Sequence, residues 1–538
     1  MMMDYPLTLK HIFDRAKTLF PKHEIVSRTS KGIFRYNYSD FHRRTTKLAS
    51  ALQKLGVKRG DKVATFAWND HRHLECYFAI PCMGGVLHTI NIRLSREHIS
   101  YIANHAEDKV LFVDETLVPM IEAVQDQLKT VKAYVIMTDQ MELNTSLSPA
   151  YSYEQLIEEG DENFIFPDDL DENDAAGMCF TSATTGNPKG VVYSHRGLFL
   201  HSMAIAMSDN LGVSQQDTLL PFVPMFHANA WGLPFACTMV GSKQVLPGPM
   251  PTPQVLLELF ETEKVTVSAG VPTVWMGVLH ELEKKSYDLS HLKTLICGGS
   301  AAPKSMIKTF REKYGISLLH AYGMTETTPL VFVSRIKRDL HHLSQEEQYD
   351  LLAKQGLLSP GVEMKVVGAN GEVKWDGKEM GELLLRGPWI ASEYYKDERT
   401  EETFRDGWLH TGDVVTVDEE GYVKIVDRTK DLVKSGGEWI STVDLENAIM
   451  GHEAVAEAAV VAVPHEKWQE RPVACVVLKP PFKDKVDKEE IISFLEPQFP
   501  KWWLPDDVIF MDEIPKTTVG KFLKRALRDQ VKSLYKSS

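Results

Sequence analysis

Two short apolar runs, Ala175–Phe180 and Gly190–Ser194, bracket the segment Thr-Ser-Ala-Thr-Thr-Gly-Asn-Pro-Lys at 181–189, and this arrangement constrains the chain more than any other stretch. Each run is bounded by turn-forming residues and reads as a buried strand. A loop hung between two strands has both ends fixed, so its polar groups are presented at one place on a sheet edge. Thr181, Ser182, Thr184 and Thr185 offer hydroxyl donors, and Lys189 adds a positive charge. Gly186 and Gly190 let backbone N–H groups turn toward a ligand. The set suits a polyphosphate, although an ordinary polar turn has the same composition. It is not a Walker A loop, because the nearest Gly-Lys pair, Gly520-Lys521, is followed by Phe522 rather than Ser or Thr.

A chain of 538 residues exceeds one core and suggests about three or four compact units. Apolar residues at 43% and charged residues at 25% are globular values. The net charge of -14 argues against a nucleic-acid partner or a polybasic membrane surface, so an anionic substrate must be held by local cations. Six cysteines lie mostly in apolar runs with no Cys-x-x-Cys, and read as buried free thiols in a reducing cytoplasm. No signal peptide opens the chain, and the apolar stretch 74–90, with Glu75 and glycines inside it, reads as a core helix and strand rather than a membrane span. The final Tyr-Lys-Ser-Ser is not a peroxisomal signal.

Residues 1 to about 170 alternate helical and extended patterns, which predicts a layered α/β unit with mainly parallel strands. Ser39 or Asp40 is expected to cap a helix carrying Phe41, Leu48, Leu52 and Leu55, and strands are expected at Lys62–Phe66, 110–113 and Ala133–Met137. The acidic segment 161–174 reads as an exposed connection, and the charged segment 335–354 as mobile. Beyond it, glycine-punctuated runs at 364–367, Gly381–Arg386 and 422–426 predict a small barrel-like β unit, and the last hundred or so residues an α+β unit.

Thr-Ser-x-Thr-Thr-Gly-x-Pro-Lys-Gly at 181–190 resembles the signature of the acyl-adenylate-forming superfamily, which includes acyl-CoA synthetases, firefly-type luciferases and peptide-synthetase adenylation domains. Relatives carry Gly where this chain has Ala183. At positive φ an alanine there is strained by roughly 1 kcal/mol; at ordinary dihedrals its methyl narrows the loop. Other motifs follow in the superfamily's order. The run 223–235 resembles fatty-acyl-CoA synthetases, in which the matching tryptophan, Trp231, gates an acyl tunnel and the matching histidine, His227, borders the carboxylate site. Val271 opens a helix expected to line the same pocket.

The glycine turn in Cys-Gly-Gly-Ser-Ala-Ala-Pro at 297–303 resembles the wall of the adenine site, here Gly299, Ser300 and Ala301. His320 and Ala321 precede a Tyr-Gly-x-Thr-Glu motif. In it, Tyr322 and Gly323 fall beside the purine, Thr325 can donate to a phosphate, and Glu326 offers a hard carboxylate oxygen for Mg²⁺. Asp413 matches the aspartate that holds the ribose hydroxyls, and Arg428 a residue near ribose and phosphate. Lys430 matches the pivot of a domain rotation. Lys434, Gly436, Gly437, Glu438 and Trp439 match the loop that lines the pantetheine tunnel, and Lys521 the mobile catalytic lysine.

The resemblance implies an α/β fold: a large N-terminal part at 1–428 with two layered α/β subdomains and a small β-barrel, a hinge at 429–433, and a mobile small α+β domain at 434–538. It implies ATP-dependent activation of a carboxylic acid, expected to be a fatty acid, to an acyl-AMP, followed by transfer to coenzyme A. Glu326 and Thr181 would hold Mg²⁺, and Lys521 would bridge the carboxylate and the α-phosphate. A soluble homodimer is expected. A short acid such as 3-methylthiopropanoate, or an adenylase loading a carrier protein, are the alternatives.

Overall fold

The computed structural model describes residues 1–181, 186–435, 438–483, 485–517 and 520–535, with no account of the side chains of Glu438 and of 533–535. The expectations for Ser182, Ala183, Thr184, Thr185, Gly436 and Gly437 therefore lie outside the described residues.

Two large sheets carry the N-terminal bulk. The first orders seven strands as Ala150–Ser152, Ala133–Met137, Val110–Asp114, Lys62–Phe66, Val86–Thr89, Ala175–Phe180 and Gly190–Ser194. Its neighbours are parallel except the last pair, which is antiparallel. A short loop can join only antiparallel neighbours, whereas parallel strands need a crossover. One crossover is the helix His71–Cys82, buried along its whole length. The apolar stretch 74–90 is thus most of this helix and the strand Val86–Thr89. Among the described residues no helix is long and apolar enough to cross a membrane.

The second sheet orders nine strands, with Thr294–Cys297, Val267–Gly270, Thr218–Pro221 and Lys243–Leu246 parallel at its centre and Ser317–Gly323 extending it. The third is the barrel-like unit, a curled antiparallel sheet of six strands that sets Asp413 on Trp408–Val417 opposite Arg428 on Val423–Arg428. The fourth has five strands, led by the hairpin Val433–Ser435 and Glu438–Ile440, and packs against the helices Thr442–Ile449, Lys488–Leu495 and Lys524–Tyr535. The chain is α/β, with a large multi-sheet N-terminal part and a small C-terminal α+β unit.

Three local expectations are corrected. The helix Tyr38–Lys54 is capped by Asn37, whose side chain accepts from the Asp40 N–H, not by Ser39 or Asp40. Segment 335–354 holds the helix Gln345–Ala353, closed by a Ser344/Glu347 capping box and anchored by the buried Tyr349. Its charges face outward and conceal that anchor. Gly190 is a strand residue paired with Phe180, and a Cβ there would meet the Phe180 ring at 3.0 Å. Its role is to make room for that ring rather than to turn an N–H toward a ligand.

Candidate active site

A cavity of about 1080 Å³ opens where the carboxyl ends of strands from both large sheets meet the curled sheet and the small C-terminal unit. Strand ends are natural ligand sites because side chains and free backbone groups converge there without a following residue to cover them. Ala175–Phe180 delivers Thr181, Thr294–Cys297 delivers Gly299, Ser300 and Ala301, and Ser317–Gly323 delivers Tyr322, Thr325 and Glu326. The curled sheet adds Asp413 and Arg428, and the C-terminal unit adds Lys521.

The phosphate-type loop is closed at its base. The Thr181 N–H donates to the Lys189 carbonyl at 2.9 Å, and the Lys189 N–H to Thr181 Oγ1 at 3.1 Å. Gly186 has φ +76°, a value that favours glycine. Burial holds the Lys189 ammonium below the ordinary lysine range, partly offset by Glu326. Its Nζ donates to Tyr394 Oη at 2.7 Å, and Tyr394 donates to Glu326 Oε1 at 2.6 Å.

His320 donates from Nδ1 to the Ala353 carbonyl at 3.1 Å, and burial pushes its pKa down to about 4. The ring is therefore neutral, with the Ser300 and Lys354 carbonyls also bonded to it. Ala321 and Gly323 also line the cavity, and the Tyr193 hydroxyl donates to the Thr325 carbonyl at 2.8 Å. Tyr322 donates to Asp413 Oδ2 at 2.5 Å, and Arg428 Nε lies 3.2 Å from Asp413 Oδ1. The Asp413 carboxylate raises the pKa of Arg428. One carboxylate thus organises a phenol and a guanidinium at a single corner.

Lys521 enters on a loop tightened by Thr517, whose N–H donates to the Lys521 carbonyl at 2.6 Å and whose Oγ1 accepts from the Lys521 N–H at 3.1 Å. Burial, then repulsion from Arg428, lowers its pKa to about 8, while Asp413 and Glu326 oppose the shift. The adjoining wall is bare backbone. A Cβ at Gly299, which has φ +85°, would sit 3.5 Å from Lys521 Cε and 3.1 Å from Val271 Cγ1.

His227 and Trp231 face the cavity, and burial pushes His227 down to about 3, leaving the ring neutral. Residues 228–231 and Gly232 form a left-handed turn, with φ of 42°, 51°, 48°, 58° and 74°. Each L-residue there costs about 1–2 kcal/mol, so packing must hold the turn and with it Trp231. Gly298 makes this packing possible. A Cβ on it would stand 3.1 Å from the Trp231 ring and 2.8 Å from the Ala321 carbonyl oxygen. Leu211, Ile296 and Leu330 line the apolar end beside Trp231.

Two groups of expectations fall away from the cavity. Val271 is wedged between the Gly299 and Gly520 turns, and its neighbours Pro272, Thr273 and Met276 line the space instead. Lys434 and Trp439 lie on the hairpin away from it. The Lys434 N–H donates to Glu470 at 2.9 Å, and its ammonium lies 4.6 Å from the Trp439 ring centre. Lys430 stands at the cavity's edge. Sequence reasoning missed Tyr394 and Gly298. No local motif marks Tyr394, because its partners lie far away in the chain.

Ionic and polar contacts join the two sides of the 429–433 segment. Lys424 pairs with Asp444 at 2.7 Å, and Ser441 Oγ donates to the Val426 carbonyl at 2.8 Å. Thr442 donates to Asp427, Lys524 pairs with Glu446 at 2.8 Å and lies 3.9 Å from Asp427, and Arg528 pairs with Asp431. Burial raises the Asp427 and Glu446 carboxyls.

The fold and this convergence of phosphate-type loop, carboxylates and buried lysine define the class of AMP-forming acid–thiol ligases. Residues 13–395 match the AMP-binding enzyme family and residues 444–521 the AMP-binding enzyme C-terminal domain. The chain is 50% identical to a long-chain-fatty-acid–CoA ligase of Thermus thermophilus, over 99% of this chain and 97% of that one. It is 44% identical to a 3-methylmercaptopropionyl-CoA ligase of Ruegeria lacuscaerulensis, over 99% and 98%. A crystal structure of the anthranilate CoA ligase AuaEII with anthranoyl-AMP shares the fold, with a TM-score of 0.87, 24% identity and 98% of each chain covered. The chain belongs to the AMP-binding enzyme family, and it is an adenylate-forming acid–CoA ligase that uses ATP and CoA.

Proposed function

We propose that the substrate is a fatty acid, and that the named residues divide the work as follows. The observation that carries the reading is the convergence of Lys521, Asp413, Glu326 and His227 in one cavity. A carboxylate is inert because its carbonyl is electron-rich and oxide is a poor leaving group. Attack of its oxygen on the α-phosphate of ATP, with loss of pyrophosphate, removes both obstacles. Lys521 bridges the carboxylate and the α-phosphate and offsets the charge gathering between them. His320 borders the adenine amine, and the Tyr322 ring lies along the base. Asp413 accepts from the ribose hydroxyls. The loop from Thr181 to Lys189 cradles the departing pyrophosphate. Alignment supplies most of the acceleration.

Among the described residues no three His, Cys, Asp or Glu side chains gather as a metal cage. One carboxylate, Glu326, and the Thr181 hydroxyl are what Mg²⁺ needs when phosphates and waters complete its shell, so the donor set fits. Bound there, the ion would neutralise phosphate charge. The apolar end beside Trp231 receives the acyl chain.

The second half-reaction would use segment 434–439, of which Lys434 and Trp439 lie away from the cavity. Rotation of the small unit, from 434 to 538, about Lys430 in the hinge at 429–433 would exchange that segment for Lys521, while 1–428 stays fixed. A short acid such as 3-methylthiopropanoate is the second reading, favoured by the 44% identity to the 3-methylmercaptopropionyl-CoA ligase. A homodimer in a reducing cytoplasm completes the proposal. The six buried free cysteines fit that compartment.

The test is pyrophosphate release with ATP, CoA and straight-chain acids from three to about sixteen carbons alongside 3-methylthiopropanoate, with a carrier-protein acceptor as control. A maximum at six or more carbons supports the fatty-acid reading, and a maximum at the thioether acid supports the second. CoA-independent loading of the carrier would overturn both. Light scattering reads the dimer.

A further inference from the structure

Segment 389–400 touches both of the elements assigned to the phosphates. The Tyr395 N–H donates to the Gly190 carbonyl at 2.8 Å, and Arg399 Nη1 to the Asn187 carbonyl at 3.1 Å, both on the phosphate-type loop or its end. On the other side the Ala391 N–H donates to the Glu326 carbonyl at 2.8 Å, and Thr328 Oγ1 to the Trp389 carbonyl at 2.6 Å. Between these fastenings stands Tyr394. Its phenol oxygen accepts from Lys189 Nζ at 2.7 Å and donates to Glu326 Oε1 at 2.6 Å, and the same ammonium lies 4.0 Å from the ring centre. The ring is held in turn. It is buried, packs edge-on against Phe404 at 5.0 Å, and its N–H donates to Thr400 Oγ1 at 3.0 Å.

A lysine and a carboxylate this close would ordinarily pair directly, and a buried pair holds both members tightly. The phenol stands between them, its oxygen accepting from Lys189 and its hydroxyl hydrogen given to Glu326. Among the described residues Lys189 gives one of its three donors to a hydrogen bond, to Tyr394, and the Glu326 carboxylate accepts only from that phenol. Both face the cavity. We infer that Tyr394 is a positioning residue for the nucleotide half of the reaction. It spaces the phosphate-binding ammonium from the cation-binding carboxylate, so that a polyphosphate with its divalent cation finds both aimed and uncommitted. This rests on the adenylation reading above.

Tyr394→Phe deletes one oxygen and keeps the ring packing. In that variant Lys189 and Glu326 are expected to close on each other. Equilibrium binding of MgATP and of magnesium pyrophosphate, read by calorimetry, should weaken about tenfold, with a matching rise in the KM for MgATP. The KM for the acid, and thioester formation from supplied acyl-AMP, should stay within about twofold, as expected for interactions the mutation does not touch. A double-mutant cycle with Lys189→Met should show coupling of more than about fourfold. Thr400→Val, which loosens the tyrosine from behind, should weaken MgATP binding about two- to threefold and carries the test if Tyr394→Phe does not fold.

Unchanged MgATP binding in the folded variants, an additive cycle, or an equal loss for ATP, acid and CoA with a lowered melting temperature would overturn the inference. Failure of the unaltered protein to bind MgATP would instead sink the adenylation reading, so the two failures are distinct.

Discussion

Lys521 and Lys434 belong to the same small C-terminal unit, yet their surroundings have little in common. Lys521 stands half-buried beside Arg428, Asp413 and Glu326 on a loop pinned by Thr517, and its pKa is pushed down to about 8. Lys434 is exposed on its strand, its ammonium over the Trp439 ring. Under the proposed division of labour this unit would have two working faces, used in turn at the cavity. The structure has the Lys521 face docked, the arrangement that the proposed first half-reaction requires.

The sharpest way to break the comparison is to remove each lysine in turn. Lys521→Ala should cut acyl-AMP formation about 10²- to 10³-fold while thioester formation from supplied acyl-AMP survives. Lys434→Ala should do the reverse, with a smaller loss confined to the CoA step. Pyrophosphate exchange reads the first step, and thioester release from synthetic acyl-AMP the second. Equal losses in both steps would end the division of labour.

Acidity sharpens it next. Bridging two anions requires the ammonium, so kcat/KM for ATP should fall about tenfold per pH unit above roughly pH 8, because that ratio reports the free enzyme. Bound phosphates favour the charged form, so the limb in kcat should lie higher. A CoA-step profile with the same limb near pH 8 would remove Lys521 as its cause.

The smallest effect concerns how firmly the Lys521 face is held. Asp427, Thr442, Glu446 and Lys524 join the two sides of the proposed hinge at 429–433, with Lys424–Asp444 and Asp431–Arg528 beside them. Lys524→Met leaves two buried carboxylates without their cation, which penalises the docked state. Acyl-AMP formation should slow about three- to tenfold, with the CoA step equal or faster. A uniform loss in both steps would mean that the cluster supports the small unit's own fold.

Much of this was legible in local pattern. The strands Lys62–Phe66, Ala133–Met137, Ala175–Phe180 and Gly190–Ser194 have the expected bounds, because short apolar runs between turn residues have little choice. The helix Gln345–Ala353 was hidden because its surface is charged and its anchor is one tyrosine. Val271 was misplaced because a helix cap and a pocket wall have the same sequence signature. Tyr394 was invisible because Lys189 and Glu326 come from different sheets.

The amino-acid sequence by itself determined the strands, the order of the motifs and, through residue types at motif positions, the class of chemistry, since all of these depend on near neighbours along the chain. Only the tertiary structure decided that Lys521 lies in the cavity and Lys434 does not, what stands between Lys189 and Glu326, and that Gly298 and Gly190 are there for rings packed against them. Those outcomes depend on distances between segments that meet only when the sheets pack, and spacing along the chain does not encode such distances.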